Sequence, residues 1–148
     1  MDWFAGMLLG HLMGDYVLQN NWMALNKKDN IWACYVHCLI YTFCVCIGLY
    51  GMGIPFNTYS YLNLISFIFL SHFILDYTNL VSRWMKFYGT RSWDSALPRN
   101  YLGGIQTRSS LNAEQVVRTA FGAFIYIAVD NTLHLVMMTA FIKYFFGG

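Results

Sequence analysis

The chain has 148 residues, of which 57 % are hydrophobic, 19 % aromatic and only 11 % charged, with a formal net charge of +2. Soluble domains carry about 25 % charged residues and need them to cover the surface outside the core. The composition therefore excludes an ordinary soluble domain, and the small net charge offers no basic patch for nucleic acid.

A single all-α domain over 1–148 is expected, as a polytopic four-helix transmembrane bundle made of two helical hairpins. A membrane helix needs about 20 mostly apolar residues, and four stretches qualify: 3–25, 31–50, 60–84 and 113–145. The first has neither a basic n-region nor a small-residue cleavage site before it, so it is expected to stay as a span. Within it, Gly6, Gly10 and Gly14 have the spacing that lets a neighbouring helix approach closely. The second contains Cys34, Cys38, Cys44 and Cys46, read as reduced small hydrophobes, with a Cys34/His37/Cys38 metal cluster as the minor alternative. The fourth begins after a capping pattern, Asn112 with Gln115, supported by Leu111 and Val116 as a hydrophobic staple.

Lys27 and Lys28 follow the first stretch, and Arg83, Lys86, Arg91, Arg99 and Arg108 lie between the third and fourth, with Arg118 just inside the fourth. The 51–59 turn carries no charge. By the positive-inside rule the basic connections face the cytoplasm and both termini lie outside, in a bacterial cytoplasmic (inner) membrane. Only Lys143 dissents. The 89–111 loop, with Trp93, Leu97, Tyr101 and Leu102 among basic residues, reads as an interfacial segment or as a lid.

Ionisable residues inside apolar stretches are costly and point inward. The first stretch contains His11-Leu-Met-Gly-Asp15-Tyr16 and the third His72-Phe-Ile-Leu-Asp76-Tyr77, the same His-x-x-x-Asp-Tyr pattern twice, while the fourth has Asp130-x-x-x-His134 in reverse. Residues four apart share a helix face. In a helix running the opposite way, the reversed order keeps each aspartate on the cytoplasmic side of its histidine. On straight helices Asp15 would lie about 18 Å from Lys27 and Asp76 about 10 Å from Arg83.

With His37, these groups make seven candidate metal ligands: His11, Asp15, His37, His72, Asp76, Asp130 and His134. Helical bundles build di-metal sites from such residues, and mixed imidazole and carboxylate ligation suits zinc, iron or manganese. Two divalent transition-metal ions are expected. Gln19, Asn79 and Tyr126 lie on or near the same faces as outer-shell candidates. A hydrogen-bonded His–Asp network that joins helices and a proton relay are the competing readings.

On His11, Gly14, Asp15, Leu18, Gln19, Lys27, His37, His72, Asp76, Asp130 and His134, the chain resembles the small bacterial and phage membrane proteins grouped as domain of unknown function 3307. Where that family usually has Gln after the late aspartate, this chain has Asn131. The resemblance implies an architecture and a motif set, and no activity. More distantly, the His-x-x-x-Asp spacing is similar to that of zinc-dependent phospholipase C enzymes and a related group of inner-membrane hydrolases.

The leading expectation is a membrane-embedded, metal-dependent hydrolase of a phosphoester or lipid-linked substrate on the cytoplasmic side. Arg83, Lys86 and Arg118 are the candidate contacts for an anionic headgroup, although charge topology explains them equally well. Proton or divalent-ion transport between the two hairpins, and a structural or exclusion protein, are the alternatives. The expected partners are the lipid bilayer and an anionic lipid or phosphoester substrate, a homo-oligomer is compatible with them, and nucleic acid is not a partner.

Overall fold

A computed structural model describes residues 2–53, 58–78, 80–88 and 113–146, and among these the regular structure is entirely helical. The elements are α1 (Trp3–Leu12), a π-helical turn (Met13–Val17), α2 (Asn21–Asn26), α3 (Ile31–Gly51), α4 (Thr58–Tyr77), α5 (Leu80–Phe87) and α6 (Ala113–Phe146). Two stretches, Ile31–Gly51 and Ala120–Tyr144, are long and apolar enough to cross a membrane. Tyr61–Tyr77 with Leu80–Phe87 makes a third if the pair is taken as one span. A membrane location follows from these helices and from the many exposed large side chains, such as Phe43, Ile47, Leu62, Phe124 and Val136, which lipid can cover and water cannot.

Asparagine and aspartate side chains set the helix starts. Ala5 N–H donates to Asp2 Oδ1 at 3.2 Å, Met23 N–H to Asn20 Oδ1 at 2.9 Å, and Trp32 N–H to Asn30 Oδ1 at 2.9 Å. Each satisfies an amide that the first helical turn leaves without an intrahelical acceptor. After α3 the chain turns at Met52 and Gly53, whose φ of 75° needs the freedom of glycine. On α6, the first residue is the one after Asn112, where the sequence places a cap; Asn112 itself lies outside the described residues.

The first apolar stretch departs from the expected single span. Its α-helix gives way at Met13 to a π-turn, in which Leu18 N–H donates to Met13 O at 2.9 Å, and the helix stops before Asn20 caps α2. The polar run Gln19-Asn20-Asn21 competes with continuation, because asparagine side chains bond backbone amides at helix starts more readily than in helix interiors. The straight-helix separation between Asp15 and Lys27 therefore does not hold.

The chain forms two compact units, Met1–Thr78 with His134–Gly148, and Asn79–Leu133. In the first, α1 lies against α3 through its glycines. A Cβ on Gly10 would stand 2.5 Å from Val45 Cα and 2.6 Å from the Cys44 carbonyl, and one on Gly6 would run into the Gly48 backbone. The small-residue stripe thus brings two backbones into contact. The adjoining core is built from Met7 of α1, Tyr41, Val45 and Leu49 of α3, Leu64 and Ile68 of α4, and Met138 and Ile142 of α6. Phe67 and Phe141 stack with centroids 3.9 Å apart. In the second unit, α5 buries Val81, Ser82 and Met85 and leaves Arg83, Trp84, Lys86 and Phe87 exposed. All four cysteines are free and buried.

Candidate metal centre

Three helices and the π-turn of the first unit bring titratable groups to one buried place. Helical spacing puts His11 and Asp15 on one face, and His11 Nδ1 lies 3.4 Å from Asp15 Oδ2. On α4 the same spacing brings His72 Nε2 to 3.2 Å from Asp76 Oδ2. His37 of α3 comes between the two pairs. Its Nε2 is 2.9 Å from His72 Nε2, 3.2 Å from Asp15 Oδ1 and 3.0 Å from Asp76 Oδ2, while His72 Nε2 is 3.3 Å from Asp15 Oδ1. The two imidazole nitrogens thus each lie within 3.3 Å of one oxygen of Asp15 and one oxygen of Asp76.

Hydrogen bonding within the set leaves Asp15 Oδ1 unsatisfied. Two Nε2 atoms 2.9 Å apart share at most one hydrogen between them, so one of them presents a lone pair to the other. Asp15 Oδ1 has both imidazoles within 3.3 Å and a hydrogen bond to neither, and it is buried. The Nδ1 atoms of His37 and His72 are also buried with no hydrogen-bond partner. A cation bound among these groups would satisfy Asp15 Oδ1 and both Nε2 lone pairs together. Metal bonds of about 2.0–2.1 Å in a tetrahedron place neighbouring donors about 3.3 Å apart, close to the spacings found here.

The neighbours hold these groups in place. Tyr41, one turn beyond His37 on α3, stacks on His72, and its hydroxyl is hydrogen-bonded to His11 Nδ1 at 2.9 Å. His11 meanwhile faces the outer oxygen of Asp15, so Oδ1 is the oxygen directed to the cluster. Lys27 Nζ donates to Asp76 Oδ2 at 2.8 Å, and its side chain is 18 % exposed against 3 % for Asp76. The ring of His134 lies 4.3 Å from that of His72 and 5.9 Å from that of His11.

Among the described residues, two groups offer ligand atoms within metal-binding reach of one another: Asp15, His37 and His72, and His72, Asp76 and His134. Neither includes His11, which is bonded to Tyr41, or Asp130, which is half-buried on α6 in the second unit. Gln19 lies four residues after Asp15, beyond the end of the π-turn, and buries an amide nitrogen that has no hydrogen-bond partner. Tyr126 is half-buried in the second unit, where Arg83 and Lys86 are exposed on α5. Asn79 and the side chain of Arg118 lie outside the described residues.

Sequence reasoning missed two members of this site. Lys27 counted only as a topology signal and a family-like position, yet it bonds a cluster aspartate. The polar run at residues 19–21 was the available sign that the chain turns there. Tyr41 had no sign beyond lying one turn after His37.

Residues 3–147 match the model of a family described as "Protein of unknown function (DUF3307)". No curated protein and no solved structure gives a match to the chain.

Proposed function

The chain belongs to the DUF3307 family, and from its buried His–Asp cluster we propose a membrane-embedded hydrolase that uses a divalent transition metal on a phosphoester or lipid-linked substrate. In this reading the chain crosses a bacterial inner membrane four times as two helical hairpins, with both termini outside and the site reached from the cytoplasmic leaflet. The broken first stretch and the α4–α5 pair then serve as the first and third passages.

The observation that carries the proposal is the meeting of Asp15 Oδ1, His37 Nε2 and His72 Nε2 from three separate elements at spacings of 2.9–3.3 Å. Two imidazoles and a carboxylate make the three-protein-ligand set of catalytic zinc and of non-haem iron sites. A metal held there supplies Lewis acidity and an activated water at neutral pH. Asp76, adjacent to the same point, takes and returns the proton at its carboxylate. Lys27 orients that carboxylate, His11 orients Asp15, and Tyr41 fixes the ring of His72. One ion per chain is the count this geometry favours, because the second group reuses His72.

The Lys27–Asp76 bond favours one rival, a proton-relay transporter in which Lys27 in place of a metal balances the buried carboxylates. Elemental analysis of protein purified without chelator separates the two. A folded wild type that holds about one zinc, iron or manganese ion per chain and hydrolyses a phosphoester in vesicles supports the enzyme. A folded protein that holds no metal and takes none up when it is supplied removes the metal reading and leaves the relay.

A further inference from the structure

Asp76 Oδ2 has three nitrogens around it: Lys27 Nζ at 2.8 Å, His37 Nε2 at 3.0 Å and His72 Nε2 at 3.2 Å. Four protein donors close a tetrahedral metal site, as in structural zinc centres, whereas catalytic sites keep one position open. The fate of this single oxygen decides between a sealed ion and a reactive one.

We infer that Lys27 sets the coordination number, holding Asp76 outside the metal's shell so that Asp15, His37 and His72 bind the ion and an anion takes the fourth position. The inference rests on the metal reading of the site.

The bond to Lys27 is the shortest of the three approaches to Asp76 Oδ2 and is charge-assisted. Lys27 sits on a folded turn, with Lys27 N–H donating to Met23 O at 2.9 Å and Asn30 N–H to Asn26 O at 2.8 Å. The caps Asn20 and Asn30 fix the helices on either side of that turn. The ammonium is therefore held near Asp76 by structure, and less of its conformational freedom remains to be lost.

Charge balance points the same way. A divalent ion with one carboxylate and two neutral imidazoles carries one positive charge, and the Asp76–Lys27 pair adds none. A positively charged centre shielded from water favours an anion in its remaining position, such as a phosphoryl oxygen. Without the lysine charge, Asp76 would be an uncompensated carboxylate about 3 Å from the donor atoms of a cation, and ligation would relieve it. The result would be a neutral, closed centre of two histidines and two aspartates that has no place for an anion.

The test uses the full-length protein in detergent, depleted of metal and titrated with Co2+, whose visible absorption reports coordination. Inorganic phosphate is the anionic probe. Wild type should bind Co2+ and change its spectrum when phosphate is added, and Lys27→Arg should behave alike. Lys27→Met should bind Co2+ more tightly, by about tenfold to a hundredfold, the range over which groups beyond the ligands tune metal sites, and should ignore phosphate. The double variant Lys27→Met/Asp76→Asn should regain the phosphate response, which a misfolded single variant would not explain. If Lys27→Met keeps the wild-type affinity and phosphate response, the inference fails while the metal site stands. If wild type binds no Co2+, both fail.

Discussion

The phenol ring of Tyr41 lies flat on the imidazole of His72, with centroids 3.5 Å apart and planes 12° from parallel, while its hydroxyl meets His11 Nδ1 at 2.9 Å. One side chain thus fixes a proposed ligand by its face and an outer-shell histidine by its edge. Tyr41→Phe keeps the face and loses the edge. The expected cost is about 1–3 kcal/mol of stability, because the buried hydrogen bond between the hydroxyl and the histidine nitrogen is lost, with metal affinity within about tenfold of wild type. Tyr41→Ala leaves a cavity at a fully buried position and should cost about 3–5 kcal/mol, as large aromatic truncations do. Denaturant unfolding in detergent, with metal titration on the folded fraction, checks both.

The α1–α3 contact makes a second expectation. At Gly10 an added methyl meets backbone atoms at 2.5–2.9 Å, and backbone cannot turn aside as a side-chain end can. Gly10→Ala should destabilise by about 1–3 kcal/mol, the usual cost of overpacking. It should also lower metal affinity, since α1 carries His11 and leads into the turn that carries Asp15. Gly51→Ala meets nothing within 4 Å and should leave both quantities unchanged. Equal behaviour of the two variants would show that close approach at Gly10 is unimportant.

The His11–Asp15 and His72–Asp76 pairs were legible in the sequence because helical spacing alone brings residues four apart together, and these two are found at 3.2–3.4 Å. The glycine stripe was legible for a similar reason, since its period is that of one helix face. What the sequence hid depends on the path of the chain. The π-turn and the break before Asn20 lie in a stretch with no proline, so its apolar content reads as one continuous span. Losing that break meant losing the contact of Lys27 with Asp76, which are 49 residues apart. Tyr41 was hidden because stacking across helices leaves no periodic trace.

The two carboxylates should separate by function. Asp15 presents Oδ1 to both imidazoles, whereas Asp76 is bonded to Lys27. Asp15→Asn removes the only charged member of the proposed ligand triad and should lower metal content to below about a tenth of wild type. Asp76→Asn should keep metal content within about twofold and lower the hydrolysis rate by about 10²–10⁴, the usual contribution of a general acid–base group. Elemental analysis beside a phosphoester assay decides it. Loss of metal from Asp76→Asn with retention by Asp15→Asn would reverse the assigned roles.

Metal should also stabilise the fold, because the three proposed ligands come from the π-turn, α3 and α4 and converge only when these elements are packed together. An ion that binds the folded state alone adds about 2.7 kcal/mol of stability when its free concentration is a hundred times its dissociation constant. Unfolding midpoints should therefore rise with added zinc or manganese and fall back on chelation, without change in helical content before the transition. His72→Ala should abolish the metal-dependent increment, since both candidate groups use His72. Cys44→Ala should retain it, because Cys44 is a free, buried thiol in neither group. A metal-dependent rise that survives unchanged in His72→Ala would place the binding elsewhere on the chain and remove this cluster as its source.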